Sequence, residues 1–463
     1  MRLLYIVLAV ILSVSSVLAE AKKLPTSNGE IQLSFSKTVK KVSPAVVNVF
    51  STKIAEQRRS VFGNDPFFNR FFDNQFGAAQ SNIQKSLGSG VIVNSTGLLV
   101  TNHHVVKGST KIRVVLTDLR EFDARIILED ERTDLAILQI MSNNETFSYL
   151  EFADSDNVEV GDLALALGNP YGVGQTVTSG IVSAIARTNV GISDFQFFIQ
   201  TDAAINPGNS GGALVDSLGR LIGINTAIYS RSGGSNGIGF AIPSNMVKLV
   251  VNSSKQGDRV LRPWLGAELQ SISHDIALSL GMDKTQGVLI RKLSEDSPLY
   301  LADIMPNDVI VAVDSKVVKN KEQLIYLLAS QAVGETVYFS VYRGDRILDI
   351  DVELIAAPET PARHKTVIKG RAPFAGAEVM NISPAVIEEM TLPLNAAGVI
   401  ISNIARNSNA HRNGFRVGDI VISVSDQKIE LVGDLIQESR HNKRLWHFKY
   451  VRNGRITSAT IYN

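Results

Sequence analysis

Three short segments of this chain carry side chains that could together attack a carbonyl group. They are Asn102-His103-His104-Val105, Thr133-Asp134-Leu135 and Gly208-Asn209-Ser210-Gly211-Gly212. A serine hydroxyl is a weak nucleophile at neutral pH and needs a neighbouring imidazole to take its proton. That imidazole needs a carboxylate to fix its tautomer and stabilise the imidazolium that forms. Glycines flanking the serine allow a tight turn whose N–H groups can face a developing oxyanion. Of the seven histidines only His103 and His104 precede Ser210, so the residues alone narrow the base to these two. Singly, each segment is ordinary: glycine-flanked serines are common in loops, and Asp134 could simply start a strand. Together, in the order His, Asp, Ser, they point to acyl transfer.

Strands must position these groups. The alternating run Val91–Val100, with turn residues at Asn94–Gly97, predicts a β-hairpin that delivers the histidines at its end. Asp134 opens the apolar run Leu135-Ala136-Ile137-Leu138, at the mouth of a buried strand. From about Ser34 to Val251, short β-branched runs broken by Gly, Asn and Asp predict an all-β domain. The order of the three groups is the chymotrypsin-type one, distinct from those of subtilisin and the α/β-hydrolases.

Thr101-Asn102-His103-His104-Val105-Val106, Thr133-Asp134-Leu135-Ala136 and Asn206-Pro207-Gly208-Asn209-Ser210-Gly211-Gly212 resemble the three signature segments of the HtrA/Deg (protease Do) family. Phe35 to Val49 resembles the start of that family's protease domain. The resemblance implies a mainly β protein, with a chymotrypsin-like double β-barrel followed by two PDZ domains. By its place in the Thr-Asn-x-His pattern, His104 is then the base, Asp134 its carboxylate and Ser210 the nucleophile. His103 becomes a loop residue without a catalytic role. The matching fold implies an oxyanion hole built from the N–H groups of Gly208 and Ser210. Ala204 stands six residues before the serine, where trypsin-like enzymes selecting basic side chains carry a carboxylate. With Ile205, Ile228 and Ile238 as the family-matched lining, the resemblance implies a shallow apolar S1 pocket. Cleavage after small aliphatic residues would follow.

Composition agrees and excludes other classes. At 463 residues the chain is too long for one core. A formal net charge of +1 gives no reason to expect a nucleic-acid partner. The absence of cysteine removes a thiol nucleophile, a disulfide scaffold and Cys-ligated zinc. The scattered histidines lack metal-ligand spacing, and no Walker-type loop is present, so neither a metal nor another cofactor is expected. Arg2, the apolar run Leu3–Leu12 and the small residues around Ala19 read as a secretory signal over residues 1–19, with Ala21 as a second possible cleavage position. No other segment could cross a bilayer, so no integral span is expected after cleavage. Export without cysteine fits the bacterial periplasm, with loose attachment to the inner membrane left open.

A polar segment, 20–33, precedes the protease region at 34–255. Within the latter, 56–85 holds Phe62, Phe67, Phe68, Phe71, Phe72 and Phe76. This is either an amphipathic helix packed on the core or, as the family resemblance suggests, a loop reaching a neighbouring subunit. The resemblance further implies a homotrimer, with larger assemblies through the PDZ modules.

The C-terminal part is duplicated. Gly287-Val288-Leu289-Ile290 recurs as Gly398-Val399-Ile400-Ile401, and Asp308-Val309-Ile310 as Asp419-Ile420-Val421, at an offset of about 110 residues. Asn320 can cap a helix in the first copy, with Gln323 completing a capping box. The copies, 262–355 and 371–463, resemble PDZ domains, joined by a linker over 356–370 that opens with a Pro-rich stretch, Ala356 to Arg363. Such domains add an extended peptide to a sheet edge and hold its terminal carboxylate with backbone N–H groups. Trp264-Leu265-Gly266-Ala267 lies where the first carboxylate-binding loop would be, and Phe374-Ala375-Gly376-Ala377 is its counterpart. Met305-Pro306-Asn307-Asp308 replaces the common Pro-Gly-Asp turn, and Asp303 stands where the family often has glycine. The resemblance implies that peptide binding is signalled to the segment 185–194, with Arg187 as contact. The expected partners are unfolded polypeptides and exposed protein C-termini. The expected activity is an ATP-independent endopeptidase with chaperone activity. The alternative is a peptide-binding scaffold whose protease domain rests inactive.

Overall fold

Two closed six-stranded barrels lie between Val46 and Pro243. The first runs in the order β1 (Val46–Ile54), β2 (Ile83–Ile92), β3 (Leu98–Asn102), β6 (Leu135–Ile140), β5 (Glu121–Asp130) and β4 (Lys111–Val115). The second runs β10 (Ala213–Val215), β11 (Leu221–Ile228), β12 (Gly239–Pro243), β9 (Phe198–Thr201), β8 (Thr176–Arg187) and β7 (Leu163–Gly168). The computed structural model describes residues 34–54, 83–169, 174–187, 197–228, 235–255, 257, 260–441 and 443–462. The expected signal segment, the polar segment 20–33 and the six phenylalanines of 56–85 lie outside these residues. Among the described residues no helix is long and apolar enough to cross a membrane.

Local chemistry explains the hairpin that leads to the histidines. Asn94 Oδ1 accepts the N–H groups of Thr96 (3.1 Å) and Leu98 (2.8 Å), closing the turn side-chain first. Val91 then pairs with Val100, as the alternation predicted. Every side chain of β3 is buried, so this strand serves both barrel interior and seam. Val49, Ile92, Leu99, Val114 and Leu138 fill the first barrel. Val91, Val100, Leu135 and Ile137 instead join Leu165, Leu167, Ile224 and Phe240 of the second barrel in one cluster. At about 25 cal/mol per Å² of apolar surface removed from water, that shared cluster welds the barrels along one seam. The site lies on this seam.

Two further sheets follow. The first orders β13 (Ala267–Ser271), β14 (Val288–Leu293), β15 (Val309–Val313), β17 (Thr336–Arg343) and β18 (Arg346–Glu353), with β16 (Lys316–Val317) beside β15. The second orders β19 (Thr366–Val367), β20 (Ala377–Asn381), β21 (Val399–Ile404), β22 (Ile420–Val424), β24 (Leu445–Arg452) and β25 (Arg455–Tyr462), with β23 (Gln427–Lys428) beside β22. The duplication extends to chemistry: Arg343 grips Asp308 with two nitrogens, and Arg452 grips Asp419 likewise. Asn307 and Asp303 adopt φ of +78° and +61°, so the departures from glycine are accommodated in left-handed backbone. Asn320 does cap its helix, accepting Gln323 N at 2.9 Å. Gln323 Oε1 accepts Lys319 N rather than Asn320 N, so the capping box closes one residue early. Within the stretch read as a linker, Thr366–Val367 is a strand of the second sheet.

The first module packs on the protease barrels. Tyr326 stacks on Phe197 with ring centroids 3.7 Å apart and planes at 10°, and its hydroxyl donates to Asp156 Oδ1 at 2.9 Å. A buried ion pair joins Arg262 to Asp130, which also receives the Thr133 hydroxyl.

Candidate active site

Asp134 reaches the site because of its backbone. It ends the turn between β5 and β6 at φ +57°, a left-handed conformation that aspartate tolerates better than most residues. Its carbonyl accepts His103 N at 3.0 Å and Asn102 Nδ2 at 2.9 Å, tying the turn to the end of β3. There the short helix α1 (His103–Val106) begins. The carboxylate points back at it: Oδ1 accepts His104 N at 3.0 Å, and Oδ2 lies 2.8 Å from His104 Nδ1. Thr226 Oγ1, from β11, donates to Oδ2 at 2.8 Å. With Nδ1–H turned to the carboxylate, Nε2 is the nitrogen left to accept a proton. Burial pushes the Asp134 carboxyl up, but the charge of His104 and the hydrogen bonds from His104 and Thr226 outweigh it. They hold the carboxyl below the usual carboxylate range. The His104 side chain remains 42% exposed, open to an incoming chain. His103 opens the helix instead of lying in a loop, is buried, and sets Nδ1 3.4 Å from Glu129 Oε1.

Ser210 is placed by backbone bonds. Asn209 N donates to Asn206 O and Gly212 N to Asn209 O, both at 2.9 Å, winding the turn. Gly211 N donates to Asn225 O (2.8 Å) and Asn225 N to Gly212 O (2.9 Å), clamping it onto β11. Gly211 has φ +83°, and a Cβ there would lie 2.1 Å from Ser89 O, so only glycine fits. Ser89 braces the other side: its N–H donates to Ser210 O (2.8 Å) and its hydroxyl to Gly208 O (2.7 Å). The same hydroxyl accepts Asn169 N at 2.9 Å. Among the described residues, the N–H groups of Gly208 and Ser210 have no acceptor. Ser210 Oγ donates to Thr226 O at 3.1 Å, and no hydrogen bond joins it to His104. Thr226 thus touches both halves, its hydroxyl on Asp134 and its carbonyl on Ser210.

The other predicted residues are placed unevenly. Ile205 is buried against Gly239, and Ile238 is half-buried on the seam cluster. Ile228 ends β11 and Arg187 ends β8, but their side chains, and residues 188–196, lie outside the described residues. Trp264 corrects an expectation: its N–H is spent on Ile355 O (2.8 Å), and its buried ring packs beneath Gly266. Leu265 and Gly266 keep N–H groups without an acceptor among the described residues, and Ala267 starts β13, the unpaired edge of its sheet. Thr226 and Ser89 were not singled out in the sequence. Ser89 had a signal in its flanking Gly88 and Gly90; Thr226, inside an apolar strand, had none.

Paired barrels with histidine, carboxylate and serine on their seam define a trypsin-like serine peptidase, here carrying a peptide-binding module. Residues 88–224 match the trypsin-like peptidase domain family, and residues 263–354 match the PDZ domain family. The chain is 36% identical over 434 residues to a probable DegP-like periplasmic serine endoprotease of Brucella suis, covering 87% of this chain and 84% of that protein. It is 36% identical over 380 residues to the periplasmic serine endoprotease DegP of Salmonella typhimurium, covering 82% and 77%. The solved HtrA-type protease AlgW with decapeptide superposes with a TM-score of 0.53 at 38% identity, covering 70% of this chain and 99% of that one. The chain belongs to the HtrA/DegP family of periplasmic serine endoproteases.

Proposed function

We propose that Ser210 is the nucleophile, His104 the general base and acid, and Asp134 the group that orients it. The observation that carries this reading is the Asp134 carboxylate, held by His104 Nδ1, His104 N and Thr226 Oγ1 at once. Attack on a peptide carbonyl by Ser210 Oγ passes its proton to His104 Nε2, and the imidazolium returns it to the leaving amine. The unspent N–H groups of Gly208 and Ser210 receive the oxyanion, each such donor contributing about 2.7–4 kcal/mol in the transition state. The Ser210–Thr226 hydrogen bond is a resting arrangement; rotation about the Ser210 Cα–Cβ bond exchanges it for His104.

Ile205, Ile228 and Ile238 shape an apolar S1 pocket with no carboxylate at Ala204, so cleavage follows small aliphatic residues. The substrates are unfolded polypeptides and exposed C-termini. Extended segments bind the free edge of β13 with their carboxylates at Leu265 and Gly266. Arg187 relays that binding to the segment 185–194. The working unit is a homotrimer that also acts as a chaperone. Residues 1–19 are removed on export.

Digestion of unfolded casein tests the core of this reading. The wild type and His103→Ala cleave, while Ser210→Ala and His104→Ala do not, and a fluorophosphonate labels Ser210 alone. Retained cleavage in Ser210→Ala, or equal loss in His103→Ala, overturns the assignment. A peptide library dominated by cleavage after Lys or Arg overturns the pocket.

A further inference from the structure

The two modules share a plan but differ at one edge. In the first, β13 ends its sheet and its outer edge is unpaired among the described residues. In the second, the equivalent strand β20 carries β19 on that edge, antiparallel, with Thr366 opposite Val379 and Val367 opposite Glu378. We propose that the chain's own Lys365–Ile368 segment is the resident ligand of the second module's groove, leaving only the first module open to free peptides.

The direction, the anchor and the terminal contact all fit a ligand. A peptide added to such an edge runs antiparallel to it, with its terminal residue at the glycine loop before the strand. The segment runs that way, so Ile368 arrives at the loop Phe374-Ala375-Gly376-Ala377. Ile368 N donates to Ala377 O at 2.9 Å, and Gly376 N donates to Ile368 O at 2.8 Å. The Ile368 carbonyl thus takes a loop N–H where a free ligand would offer its carboxylate. Its side chain is buried in one cluster with Phe374, Val379, Val432 and Leu435. Ala375 N and Ala377 N are spent within the loop, on Ala372 O and Phe374 O. In the first module Leu265 and Gly266, which match Ala375 and Gly376, keep N–H groups without an acceptor among the described residues.

Upstream contacts hold the segment in register. Lys365 pairs with Glu378 at 3.0 Å. Asn381 N donates to Arg363 O and Asn381 Nδ2 to Ala362 O, both at 2.8 Å. Asn381 Oδ1 meanwhile accepts Val432 N at the start of the helix Val432–Ser439. Ser271 does the same for Lys321 N in the first module. One residue therefore joins strand, helix and inserted segment, as expected where a ligand lies between strand and helix. Linking occupant and groove in one chain gives the segment a high effective concentration, in the mM range for a short linker, which weakly binding free peptides do not outcompete.

The full chain carrying Ser210→Ala tests the proposal, and cysteine chemistry is clean because the chain has no cysteine. Val367→Cys with Glu378→Cys, facing each other in register, forms a disulfide on mild oxidation. No disulfide overturns the proposal. The number of bound peptides per chain, counted with a fluorescent peptide ending in a free isoleucine carboxylate, is the same before and after oxidation. A fall on oxidation shows that the groove had been open and overturns it. Failure of the first module to bind peptide alters both counts alike, so the two readings fail distinguishably. Ile368→Asp expels the anchor and adds one peptide per chain, with the near-ultraviolet signal of Trp446 reporting that the module stays folded. No gain in a folded module overturns the proposal. If that variant does not fold, hydrogen exchange in the parent decides. Slow exchange at Ile368 and Gly376, matching β21, supports the resident ligand, and exchange as fast as in an unpaired chain overturns it.

Discussion

The two barrels prepare their halves of the proposed active site by different means. The first wires its half through side chains: a carboxylate in a left-handed turn receives an imidazole and a backbone N–H from its own barrel, and the Thr226 hydroxyl from the second. The second prepares its half through the backbone, with a glycine turn clamped to β11 and braced by Ser89 from the first barrel, while the Ser210 hydroxyl rests on a carbonyl. A base must keep one tautomer and one orientation, which takes fixed partners. A nucleophile must move, and its surroundings must hold N–H groups unspent, so rigidity belongs in the main chain around it.

The largest effects test whether both halves are needed. Ser210→Ala and His104→Ala each lower kcat by roughly 10⁶-fold, and the double variant loses no more. A product of the two losses would show the halves working separately. Gly211→Ala follows, because its Cβ must displace Ser89 O in a backbone conformation that alanine resists. Activity falls to the level of Ser210→Ala with stability reduced, and normal turnover there would refute the backbone-made half.

Asp134→Asn lowers kcat by about 10⁴-fold while leaving the fold intact, since the imidazole loses its favoured tautomer. Thr226→Val leaves the carbonyl on Ser210 but deletes the hydroxyl on Asp134. The lost bond to a buried charge amounts to about 1.5–3 kcal/mol, so kcat falls roughly tenfold or more with KM unchanged. A change in KM alone would place Thr226 in substrate binding instead.

The smallest effect is on stability against pH. Asp134 is held below the usual carboxylate range in the folded protein. A depressed carboxyl stabilises the fold above its unfolded value and loses that contribution as pH falls through the folded one. The melting temperature should therefore drop on acidification through and below the ordinary carboxylate range. Asp134→Asn should flatten that part of the curve, and an unchanged acid limb would assign it to other carboxylates.

Much of this was legible in the chain because its signals are local. Asn94 and Gly97 mark a turn by their own chemistry, and alternation from Val91 to Val100 predicts the hairpin that forms. The candidate histidines, Asp134 and Ser210 stand out by type and order, and the duplication announces itself by repetition. The partners of these groups were decided only by closure of the barrels. Thr226 reaches Asp134 across 92 positions, and Ser89 reaches Gly208 across 119. No short-range pattern encodes such pairs, because they are chosen by which strands become neighbours. The same holds at the second module: Lys365–Ile368 reads as the end of a linker until β20 offers an edge. A strand's identity lies in its hydrogen-bonding partner, and only the folded chain supplies one.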